Sequence, residues 1–376
     1  MSVKTVLQPK VAIVHDYLRE YGGAERVLEA LHEIYPEAPI YTAYLNLEGL
    51  GLHRERIKDW NIKTSWLQNL PLANYLISPL RILAPMIFEG FDLKEYDLVI
   101  SSCNTYFSKA VITKPNSLHI SYIHTPPRYL YGYATSFNYK KNPLTRILGE
   151  IANHFLRLYD FEVSERPDVL VANSKNVASR IQKFYRRDSV VIYPPVDIEK
   201  FKKAQTAARG DYFLSVGRLV RGKGVDIIVR ACSELGVPLK VVGSGPELAV
   251  LRRLAGRSVE FIGSVADTDL PSFYANAQAT IVASVDEDFG IVPVESMASG
   301  TPVIAFAGGG FLETVISGKT GEFFKEATAE SLIRVLENFE GSRYESEDCQ
   351  KQAEKFSEDI FKRQILKLVA DHLKIN

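Results

Sequence analysis

Glu287-Asp-Phe-Gly-Ile-Val-Pro-Val-Glu295 places two carboxylates either side of a seven-residue run, with Phe289-Gly290 calling for unusual backbone. Pro293 suits the first position of a helix and Gly300 its end, so Glu295 is expected in a first helical turn with Glu287 just ahead of it. The N–H groups of Phe289, Gly290, Ile291 and Val292 could then face the same space, where a helix N-terminus receives anions and hydroxyls. Carboxylates on both sides can accept from sugar hydroxyls; two solvated glutamates is the plainer reading.

Gly217-Arg218-Leu-Val-Arg221-Gly222-Lys223-Gly224 is a second candidate. A planar guanidinium and a compact ammonium among glycines suit a diphosphate, although the run lacks the spacing and closing Ser/Thr of a Walker loop. Gly243-Ser244-Gly245-Pro246-Glu247 fits either a close backbone approach to a base or phosphate, or a tight turn; Leu248 stands where a dinucleotide fingerprint has its third glycine. Nearer the start, Gly22-Gly23 could bring backbone up to a phosphate or sugar. His124 precedes Thr125-Pro126-Pro127-Arg128, whose prolines fix the loop, and is either a packed residue or a cleft-facing one. Arg128, Lys140, Lys141, Arg146 and Arg157 make this region basic, as a solvated face or as a site for an acceptor phosphate or anionic lipid.

These residues need strands to carry them. Val11–Val14, Tyr96–Ser101, Ser117–Ile123, Asp168–Asn173 and Ser189–Tyr193 are apolar runs without alternation, as in parallel sheets covered on both faces. After Pro194-Pro195 and a polar stretch from Lys202 to Gly210, the pattern resumes with Tyr212–Val216, Leu239–Val242, Val259–Ile262, Ala279–Ala283 and Val303–Phe306. Strands alternating with helices predict two α/β, Rossmann-like domains with mostly parallel sheets facing a cleft. The expected boundaries are 1–195 and 205–356, with a capped amphipathic helix over 357–376 returning to the first domain. Ligands bind beyond the carboxyl ends of such strands, which is where the candidate residues fall.

Composition narrows the partners. Lys+Arg and Asp+Glu are both 45 in 376 residues, so no global basic field points to nucleic acid. Aromatics at 11% suit a sugar or membrane-surface ligand as well as a plain core. Three scattered cysteines have no zinc spacing and fit a reducing cytoplasm, and the N-terminus lacks the pattern of a signal peptide. The uncharged stretch Thr64–Leu80 is broken by Pro71 and Pro79; it reads as a pair of short helices, packed inside or touching a bilayer.

Taken together, Gly217-Arg218 to Lys223-Gly224, Glu287 to Glu295 and Ser-Gly-Thr-Pro-Val-Ile at 299–304 resemble the family 4 retaining glycosyltransferases of GT-B architecture. Tyr122-Ile-His-Thr-Pro-Pro-Arg-Tyr129, with His15-Asp16-Tyr17 and Gly22-Gly23-Ala24-Glu25-Arg26, is similar to the WbaZ-like O-antigen mannosyltransferase branch. The resemblance implies that Arg218 and Lys223 hold the donor diphosphate as it leaves, that Glu295 binds the ribose and that Glu287 grips the sugar. It further places the N–H groups of Phe289 to Val292 on sugar or phosphate oxygens and His124 near the reacting carbon. Gly22 and Gly23 would lie on the phosphates, and Ser244 and Val265 by the base.

The resemblance also implies a nucleotide-sugar donor, GDP-mannose by this branch, a glycan or lipid-linked glycan acceptor, and no metal or other cofactor. A cytoplasmic enzyme, peripheral at the inner membrane face, would fit. The rival readings are a nucleotide-sugar epimerase of the same fold, a Rossmann dehydrogenase, against which the missing third glycine argues, and a non-catalytic sugar-nucleotide binding module.

Overall fold

The computed structural model describes residues 9–71, 74, 79–133, 143–204 and 210–373. These fall into two compact units. The first comprises the described residues up to Pro194 together with those from Phe361 onward; the second comprises those of Pro195–Ile360.

The first unit is built on seven parallel strands in the order β3-β2-β1-β4-β5-β6-β7. They are β1 (Val11–His15), β2 (Ile40–Thr42), β3 (Ile62–Thr64), β4 (Leu98–Cys103), β5 (Leu118–Ile123), β6 (Val169–Ala172) and β7 (Val190–Val191). β4 is buried along its whole length, its two serines included, as a strand covered on both faces must be. Of the expected strand Ser189–Tyr193 only two residues pair, at the sheet edge, where Pro194-Pro195 removes the donors that would extend the ladder.

Helix α1 (Gly23–Ile34) turns Val27, Leu28 and Leu31 onto one face of this sheet. Helix α2 (Pro143–Val163) packs Leu156 and Val163 on the other. Helix α3 (Lys175–Tyr185) starts where the Ser174 hydroxyl accepts from Val177 N–H at 3.0 Å. The uncharged stretch before residue 80 forms a short 3₁₀ helix, Trp66–Asn69, capped by Ser65; residues 72, 73 and 75–78 lie outside the described residues.

The second unit has six parallel strands in the order β10-β9-β8-β11-β12-β13. They are β8 (Tyr212–Val216), β9 (Leu239–Val242), β10 (Val259–Gly263), β11 (Ala277–Val282), β12 (Val303–Phe306) and β13 (Gly321–Phe324). Helix α4 (Val225–Leu235) follows β8 and helix α5 (Ile291–Ala298) follows β11. Helix α6 (Glu358–His372) closes the chain. Its Phe361, Ile365, Leu368 and Val369 join Ile13, Ile100, Ile120 and Tyr122 in the first unit's core.

Each sheet reverses its winding once, between β1 and β4 in the first unit and between β8 and β11 in the second. Loops leaving neighbouring strands at such a reversal run to opposite faces and leave a crevice between them, the usual ligand position in doubly wound sheets.

Candidate functional site

In the second unit the loops after β8 and β11 meet. Lys223 Nζ donates to Glu287 Oε2 at 2.8 Å, joining the two candidate segments. The Ser284 hydroxyl donates to the Gly222 carbonyl at 3.1 Å, a second tie between the same loops. This closeness requires glycine at 224, whose φ is +65° and where a Cβ would run into the carbonyl oxygen of Ala283. Arg218 lies in the same loop as Lys223 and is exposed.

Gly290 has φ +96° and starts α5 at Ile291, two residues before the expected first position at Pro293. A Cβ at 290 would stand 2.8 Å from the Phe311 ring, so the left-handed turn and the lack of a side chain are both needed. Glu295 consequently sits in the second turn and not the first. It is buried, and its Oε2 accepts from the Tyr274 hydroxyl at 2.7 Å. Phe289 is buried, while Ile291 and Val292 are half-buried at the helix start. Ser244 and Val265 stand in the loops after β9 and β10, which touch where the Ser264 hydroxyl donates to that of Ser244 at 3.1 Å.

In the first unit, Gly22 caps α1 and its N–H donates to Glu25 Oε2 at 2.8 Å; Gly23 is the first helical residue. His124 follows β5, where its N–H donates to the Cys103 carbonyl. Its Nε2 lies 2.8 Å from Ser102 Oγ, which is 3.1 Å from His15 Nδ1; His15 Nε2 is 3.6 Å from Glu25 Oε1. Burial, reinforced by nearby His15, pushes the His124 imidazole down to about 3, so it stays neutral at ordinary pH. Arg128 is half-buried. Arg146 is exposed and Arg157 donates to the Leu130 carbonyl at 3.3 Å. Lys140 and Lys141 lie outside the described residues.

Several contributors were given no role of their own by the sequence. Asp16 is buried, and its carboxylate accepts from the N–H groups of Asn104, Thr105 and Tyr106 at 2.8 Å and of Ser108 at 3.0 Å, moulding the loop after β4. Ser102 and Tyr274 gave no local signal, since each matters through a partner distant in the chain. Gly308-Gly309-Gly310 did give one: it follows β12, and Gly310 N–H donates to the Glu287 carbonyl at 2.9 Å.

With this geometry in place, the second unit can be set beside known proteins. Residues 196–356 match the family of glycosyl transferases group 1. The group 1 match spans β8 to β13 and so contains Arg218, Lys223, Glu287 and Glu295. The D-inositol 3-phosphate glycosyltransferase 2 of Catenulispora acidiphila is 31% identical over 210 residues, 48% of this chain and 47% of the relative. A D-inositol 3-phosphate glycosyltransferase of Mycobacterium tuberculosis is 34% identical over 183 residues, 43% of this chain and 38% of the relative. The chain spans about half the length of the first of these curated relatives.

Among solved structures, Anabaena HepE in complex with UDP and glucose superposes with a TM-score of 0.71 at 18% identity, covering 96% of this chain and all of that one. Sucrose-phosphate synthase from Thermosynechococcus elongatus gives 0.69 at 19% identity, covering 96% and 98%. Both sheets thus carry the α/β fold of the GT-B glycosyltransferases.

Proposed function

We propose that the protein is a retaining glycosyltransferase that moves a hexose, mannose from GDP-mannose, to a lipid-linked or polysaccharide acceptor. The observation that carries this reading is the meeting of Lys223 with Glu287 at the winding reversal of a unit that matches group 1 glycosyltransferases. One loop brings cations for a leaving diphosphate and the other a carboxylate for sugar hydroxyls.

In the proposed reaction, Arg218 and Lys223 stabilise the negative charge that grows on the diphosphate as the sugar–phosphate bond breaks. Such aligned charge is commonly the largest catalytic contribution. Glu287 holds the donor sugar, Glu295 the ribose, and the N–H groups at the start of α5 the sugar or phosphate oxygens. Ser244 and Val265 flank the base. In the first unit, His124 is the candidate for contact with a sugar, Gly22 and Gly23 for contact with phosphate, and Arg128 for contact with an acceptor. Attack occurs on the face the diphosphate leaves, and a donor phosphate oxygen takes the acceptor's proton. No metal takes part, because the two cations supply the charge.

We place the enzyme in the cytoplasm, peripheral at the inner membrane face. Among the described residues no helix is long and apolar enough to cross a membrane. Helix α2, however, exposes Ile147, Leu148, Ile151, Phe155, Leu158 and Phe161 on one side, each at least 42% accessible. A large exposed apolar surface marks an interaction site, and this one supports contact with a bilayer that holds the acceptor.

A thermal-shift panel of GDP-, UDP- and ADP-sugars tests the donor. A ligand at about 100 times its dissociation constant adds about 2.7 kcal/mol, and GDP-mannose is expected to give the largest shift. NMR of the product linkage tests the stereochemistry: an inverted anomeric centre contradicts retention, and donor turnover without transfer marks an epimerase.

A further inference from the structure

His124 is the end of a buried chain of polar groups whose direction can be worked out from the other end. A carboxylate only accepts hydrogen bonds. Glu25 is fixed by the start of α1, where its Oε2 takes the Gly22 N–H at 2.8 Å, and its Oε1 is turned to His15 Nε2 at 3.6 Å. A neutral imidazole carries one ring proton. While His15 carries a single ring proton, Glu25 favours it on Nε2, which leaves Nδ1 as an acceptor. The atom facing Nδ1 is Ser102 Oγ, 3.1 Å away, so the serine hydroxyl donates to it. Having spent its proton there, Ser102 Oγ accepts from His124 Nε2 at 2.8 Å. His124 therefore bears its proton on Nε2, and Nδ1 is left with a lone pair.

The sheet holds this chain in place. His15 and Ser102 are register partners on β1 and β4, and Ser102 is in turn the partner of Tyr122 on β5, two residues before His124. His15, Ser102 and His124 are all buried. Nδ1 of His124 makes no hydrogen bond among the described residues.

We propose that Glu25, His15 and Ser102 are positioning residues that hold His124 as its Nε2–H tautomer, so that Nδ1 accepts a hydrogen bond from a sugar hydroxyl. The sugar half of this proposal rests on the glycosyltransferase reading above; the tautomer does not.

Long-range proton–nitrogen correlation spectra of histidine-labelled protein at neutral pH read the tautomer directly, with His124 assigned by its loss in His124→Asn. The expected result is a neutral ring protonated at Nε2. A ring protonated at Nδ1, or an average of both tautomers, overturns the proposal. In Ser102→Ala the signal is expected to move toward a mixture, with kcat about 10- to 100-fold lower and the donor KM little changed, as for a misplaced catalytic group. Ser102→Thr, which keeps the hydroxyl, should restore both.

An unmoved tautomer in Ser102→Ala overturns the proposal whatever the activity. Should that variant fail to fold, Glu25→Ala reads the same shift from the far end of the chain. The expected tautomer in a wild-type protein that turns over no nucleotide sugar overturns the glycosyltransferase reading and the sugar half with it, and upholds the positioning chain.

Discussion

At the winding reversal of the first sheet the polar groups are buried and bonded to one another: His15, Ser102 and His124 form a chain, and Asp16 takes four backbone N–H groups. At the corresponding reversal of the second sheet, Arg218 is exposed and the Lys223 side chain is 37% accessible, within a loop shaped by glycine. The two units share a topology and differ in what they do with charge. Burying a charge costs several kcal/mol unless it is paired; the second unit keeps these cations accessible, while the first buries polar groups that bond to one another.

Two lysines put this contrast to the test, and the larger effect is expected in the first unit. Lys109 is fully buried, ion-paired with Asp160 and bonded to the Tyr185 hydroxyl at 3.2 Å. Lys109→Ala leaves the Asp160 carboxylate without its cation and should cost about 3–5 kcal/mol of stability, read as a lowered denaturant midpoint. Lys223→Ala should cost less than about 1 kcal/mol, since its pair with Glu287 is partly solvated. Its turnover should nevertheless fall about 10²–10³-fold, as when a donor to a developing oxyanion is lost. Equal stability losses for the two variants would erase the distinction between the units.

Acid should weaken the first unit next. Burial pushes His119 as well as His124 down to about 3, against an ordinary value of 6.5. Between those values the unfolded chain binds protons that the folded one refuses, so this share of stability is complete above pH 6.5 and is lost as pH falls toward 3. His124→Asn should flatten that part of the pH–stability curve, measured by chemical denaturation. The smallest effect is expected at the α2 surface. Phe155 is 62% exposed, and Phe155→Ser should reduce binding to vesicles of anionic lipid by about tenfold, in line with the transfer energy of one aromatic side chain. Unchanged sedimentation with vesicles would remove the bilayer from the account.

Where the sequence speaks clearly, local physics is sufficient. The long apolar runs announced the central strands, because a strand covered on both faces is mostly apolar and takes a polar residue only where it finds a buried partner. β2 and β3 passed unnoticed, being only three residues each, too short for any period to show. Glu287, Lys223 and Gly290 stood out from glycine placement and from following a strand. Glu295 was legible as a candidate, but its turn was not, because the start of α5 depends on Gly290 adopting a positive φ against Phe311, a contact across twenty-one positions. Ser102 and Asp16 show the limit most plainly. Ser102 inside a strand carries no signal, and Asp16, noticed only as part of a motif, shows no role of its own until the sheet sets β1 beside β4.

The central claim is that the loops after β8 and β11 hold the diphosphate of a nucleotide sugar. Calorimetric titration of GDP, UDP and ADP into the wild-type protein and into Arg218→Ala tests it most directly. The account predicts saturable binding of one of the three to the wild type, GDP foremost, and at least about tenfold weaker binding to the variant, the effect of losing one charge-assisted contact of about 1.5–3 kcal/mol. No binding of any of them, or equal binding by both proteins, would contradict it.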